Sequence, residues 1–131
     1  MTDLVKSDIQ KLVDMAANSS NAVIVTHMKP DGDALGSSYA LASALNTIGL
    51  HADIVLNDSV PPTLVPLFDL PLAGRFVAFN ENPEMSEALI SRADLIFCLD
   101  FNTLSRTGNL APLLEDSSAP LILIDHHKNP D

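Results

Sequence analysis

Cysteine is nearly absent: Cys98 is the only one in 131 residues, and it lies inside an apolar run. An intrachain disulfide is therefore excluded, and a buried thiol in a reducing cytoplasm is the expectation. Basic residues are also scarce, seven Lys and Arg against seventeen Asp and Glu, for a net charge of −10. Nucleic-acid backbones are gripped by Lys and Arg, so this domain does not hold a polyanion unaided. It can act on phosphate esters only if cations reverse the local potential. No apolar run approaches the ~20 residues of a membrane span. The first twenty residues lack the basic start and apolar block of a secretory signal. What is present, 47% hydrophobic residues in a chain of this length, suits one folded domain with a proper core.

The chain is organised around residues 22–49. The apolar run Ala22–Val25 leads into a polar loop with His27, Asp31 and Asp33. Ala34, Leu35, Leu41, Ala42, Leu45 and Ile48 then follow at the spacing of one helical face, and Gly49 stands where a helix stops. A buried strand delivering polar residues at its C-terminal end is the geometry of ligand sites in open α/β sheets. A phosphate-cradling loop at that place wants glycines and a Lys or Arg. This loop instead offers two carboxylates and an imidazole, with Gly32 between the carboxylates for a sharp turn. The set repels a bare phosphate and attracts a divalent cation. Helix capping by Asp31 or Asp33 is the plainer alternative for this loop taken alone.

The remaining chain reads as an opening helix to Ser19, a strand over 51–56 closed by Asn57–Asp58, and an apolar, proline-broken segment over 61–74 that suits packing on the surface, with a partner-binding patch as the alternative. A short edge strand is predicted over 75–79. A helix starts at Asn82-Pro83-Glu84 and runs to about Ser91, and strands are predicted over 94–99 and 121–124. Between those strands a short helix over 108–115 is predicted around Pro112. Strand–helix–strand connections of this kind are parallel crossover units. The fold class is therefore α/β, a three-layer αβα arrangement on a mostly parallel sheet.

Three apolar strands end in metal-type side chains: His27, Asp31 and Asp33 after the first, Asp100 after another, and Asp125, His126 and His127 after the last. Parallel strands bring such ends side by side, where so many carboxylates would repel one another without cations. Carboxylates with imidazoles suit Mn²⁺, with Mg²⁺, Co²⁺ or Zn²⁺ as alternatives. Ser37, Ser38, Asn102, Ser105 and Arg106 lie close in sequence to these ends; Ser37 and Arg106 are the candidates for holding a phosphate. His51 lies away from them and reads as polar surface.

HMKPDGDALGS at 27–37, Asp100 at a strand end and IDHH at 124–127 together resemble the motifs of the DHH phosphoesterases. Within that superfamily the Asp-Gly-Asp spacing and DALGSS are most similar to the nanoRNase/pAp phosphatase branch, the RecJ-like oligoribonucleases. The resemblance implies that His27 and Asp31 bind one Mn²⁺, that Asp33 and His126 bind a second, and that Asp100 bridges both. Asp125 then orients a histidine, and His127 contacts the scissile phosphate or the leaving oxygen. Family mechanism implies a water activated between the two ions for in-line attack on phosphorus. The implied substrates are short oligonucleotides or 3′-phosphoadenosine 5′-phosphate (pAp), in the cytoplasm and away from membranes; a homodimer is compatible. A further metal-binding Asp and a C-terminal DHHA1 domain are implied beyond the DHH strand. Residues 1–131 are accordingly expected to be the catalytic domain without that partner, inactive alone. Two rivals are a cyclic-dinucleotide phosphodiesterase and a non-catalytic, metal-binding regulatory module.

Overall fold

The computed structural model of the chain describes residues 14–15, 17–26, 32–60, 76–99 and 104–124. Five strands form one sheet: β1 (Asn21–Thr26), β2 (His51–Leu56), β3 (Phe76–Ala78), β4 (Leu95–Leu99) and β5 (Leu121–Ile124). Their spatial order is β3-β2-β1-β4-β5, and every neighbouring pair is parallel. The chain enters at the centre, builds outward through β2 and β3, then crosses back to β4 and builds outward through β5. The crossing puts a topological switch point between β1 and β4, and in such sheets ligands bind outside the carboxyl ends of the strands there.

Both faces of the sheet are covered, which explains strands that read as near-continuous apolar runs. On one face Ala22, Ile24, Ala52, Ile54, Leu56, Leu95, Phe97 and Leu99 pack with Leu35, Ala42 and Leu45 of α1 (Gly32–Thr47). On the other, Val23, Val25, Val55, Ile96 and Cys98 pack with Leu89 and Ile90 of α2 (Pro83–Arg92), Leu114 of α3 (Ala111–Asp116) and Leu110. The result is the αβα sandwich, with the sheet wholly parallel among the described residues. Of the predicted opening helix, Asp14, Met15 and Ala17 are helical, and Met15 packs on the α1 face. The proline-broken segment 61–74 lies outside the described residues.

Local chemistry accounts for the helix ends. α1 closes in a Schellman motif: the Leu50 N–H donates to the Leu45 carbonyl at 2.9 Å and the Gly49 N–H to that of Asn46 at 3.1 Å. Gly49 holds φ +93°, a conformation that suits glycine. Leu45 and Leu50, both buried, supply the apolar contact that accompanies this cap. Ile48 departs from the sequence reading. Instead of lying on the buried face it sits past the last helical residue and is 68% exposed. At the start of α2 the Asn82 side chain accepts the Met85 N–H at 3.1 Å, with Pro83 in the first turn.

The helix predicted over 108–115 is also revised. A 3₁₀ segment (Leu104–Leu110) precedes α3, and Gly108 interrupts it at φ 63°, ψ −123°. The bend falls at the first residue of the predicted helix, so the α-helix begins only at Ala111, after a 3₁₀ segment that the sequence reading did not include.

Candidate metal-binding strand ends

The relative placement of the strand ends is set at the opposite edge of the sheet. The Asp94 carboxylate accepts the Ser20 N–H at 2.8 Å and the Asn21 N–H at 3.0 Å. The Asp94 N–H in turn donates to the Asn21 carbonyl at 2.9 Å. These bonds join the start of β4 to the start of β1, and the ladder carries that alignment along both strands. At the far end Thr26 pairs with Leu99, and Leu99 pairs with Ile124. Thr26, Leu99 and Ile124 thus form one row across three adjacent strands, spaced by about 4.8 Å per strand.

The residues that follow that row in the chain are His27, Asp100 and Asp125. All three, with Asp31, His126 and His127, lie outside the described residues. Asp33 is the second residue of α1. Gly32 opens the helix and so belongs to its first turn, in place of the sharp turn suggested by its sequence position.

Among the candidates for phosphate contact, Ser37 is exposed in the second turn of α1, whereas Ser38 is fully buried. Ser105 and Arg106 fall in the 3₁₀ segment, which Asn57 ties to the same edge of the sheet. Asn57 follows the last residue of β2, is 5% exposed, and its side-chain oxygen accepts the Asn109 N–H at 2.7 Å. Read from sequence, Asn57 merely ends a strand; a partner 52 positions away leaves no local signal. Asn102 lies outside the described residues.

His51 is at the opposite edge, in agreement with its separation from the motifs, but it is more than polar surface. Its Nε2 lies 3.0 Å from Asp53 Oδ1. Asp53 is 1% exposed, and Arg92, in the last turn of α2, lies 3.9 Å from its second oxygen. Cys98 is fully buried in β4, where desolvation pushes its thiol up to about 12.

Among the described residues no group of three or more His, Cys, Asp or Glu side chains is placed to hold a metal ion. The described residues that end the five strands, Thr26, Leu56, Ala78, Leu99 and Ile124, include no Lys or Arg to balance carboxylates following them. Among the described residues no helix is long and apolar enough to cross a membrane.

The whole chain superposes on an exopolyphosphatase-related protein from Bacteroides fragilis, known from its crystal structure, with a TM-score of 0.87 and 30% sequence identity. The match covers 100% of this chain and 38% of that one, so this chain spans well under half of the neighbour's length. Residues 21–131 match the family model of the DHH family, N-terminal domain. With the sheet, its switch point and the IDHH motif all inside that span, the chain belongs to the DHH family.

Proposed function

We propose that these residues form the metal-binding half of a Mn²⁺-dependent phosphoesterase acting on short oligonucleotides or on pAp. The observation that carries the reading is the row Thr26, Leu99, Ile124 at the switch point, with His27, Asp100 and Asp125 next in the chain. The match to the family's N-terminal domain supports the phosphoesterase class.

In this reading His27 and Asp31 hold one ion, Asp33 and His126 the other, and Asp100 serves both. Two bound divalent cations supply Lewis-acid polarisation of the phosphoryl group and a more acidic water. Asp125 fixes the orientation of a neighbouring imidazole, which sets the nitrogen it presents. His127 donates to the oxygen of the leaving group as charge develops there. Arg106 and Ser37 hold the non-reacting phosphate oxygens, supplying positive charge and a hydroxyl that the strand ends themselves lack. Water is kept out of the sheet beneath by the closed packing of Ile24, Val25 and Cys98, all fully buried. The DHHA1 domain of a longer protein would complete the substrate cleft.

The test is hydrolysis of pAp and of a two-nucleotide RNA by the full-length protein, after chelation and again with Mn²⁺ restored. Mn²⁺-dependent release of phosphate or mononucleotide is expected. Release from inorganic polyphosphate, with pAp and RNA untouched, would replace the nucleotide reading by one nearer the name of the structural neighbour. No hydrolysis of any of the three would overturn the enzymatic reading in favour of a metal-binding module.

A further inference from the structure

We draw no further inference here: the strongest candidate, the open cavity of about 220 Å³ between the C-terminal ends of α2 and α3, carries nothing, because Asp116, the charged residue lining it, is exposed and nothing in the structure shows what would occupy it.

Discussion

Thr26 of β1 and Leu99 of β4 are register partners on adjacent parallel strands, the last pair before both chains leave the sheet. The chain continues from one into His27 and from the other into Asp100. Strands that are far apart in sequence thus end at neighbouring points on one edge of the sheet.

The bridging role proposed for Asp100 predicts a shared effect on metal binding. Asp100→Asn should weaken both Mn²⁺ sites together, whereas Asp31→Asn should weaken mainly one. Titration of the full-length protein with Mn²⁺, followed by calorimetry, distinguishes them. Two unchanged affinities in Asp100→Asn would remove the bridge.

His126 and His127 are adjacent but should behave differently. His126→Ala is expected to lose a metal ion. His127→Ala should retain both and lower kcat by ~10²–10³-fold, as removal of other transition-state donors does. Metal content by elemental analysis beside the turnover number is the measurement, and an inverted result would exchange the two roles.

The Asp94 clamp predicts a stability effect far from the site. Asp94→Ala removes the acceptor of two backbone N–H groups, at Ser20 and Asn21. A loss of about 1 kcal/mol is expected, since these bonds lie in an exposed setting where water competes. Urea unfolding reads it, and no change in midpoint would show that the ladder alone sets the register.

Gly49→Ala should destabilise the chain by about 1–2 kcal/mol through backbone conformation. An added Cβ would meet nothing within 4 Å, but φ is +93°. Replacement of Gly36, an ordinary helical position with equally open space, should instead be neutral or stabilising. Thermal melts of the two variants should therefore move apart.

Cys98 predicts an alkaline effect. Its thiol is pushed from 9.0 to about 12 by burial, so the folded state holds the proton more tightly than the unfolded one. The contribution is fully present below pH 9.0 and is lost as pH rises through about 12. Wild type should therefore lose more stability than Cys98→Ala across that interval. At pH 8.5 the native thiol should resist alkylation that it undergoes in urea; rapid native labelling would contradict its burial.

Much of this was written locally. Alternation and apolar runs marked β1, β2, β4 and β5, because a strand buried on two faces excludes polar residues. Asn82-Pro83 and Gly49 marked helix ends, because capping depends on residues within a turn of each other. The family motifs likewise sit in short contiguous stretches at strand ends. Periodicity misplaced Ile48, and the helix expected from Gly108 starts later, since neither the exit from a cap nor a positive φ shows in the residue pattern.

Tertiary structure alone decided the order β3-β2-β1-β4-β5. Strand order is fixed by which faces and edges find each other, and every apolar strand here carries nearly the same local signal. The row of Thr26, Leu99 and Ile124, the clamp from Asp94 to Ser20 and Asn21, and the bond from Asn109 to Asn57 all join residues distant in sequence. The amino-acid sequence by itself determined which side chains follow the strand ends. Only the fold decided that those ends lie side by side, because packing both faces of the sheet selects one arrangement of the strands.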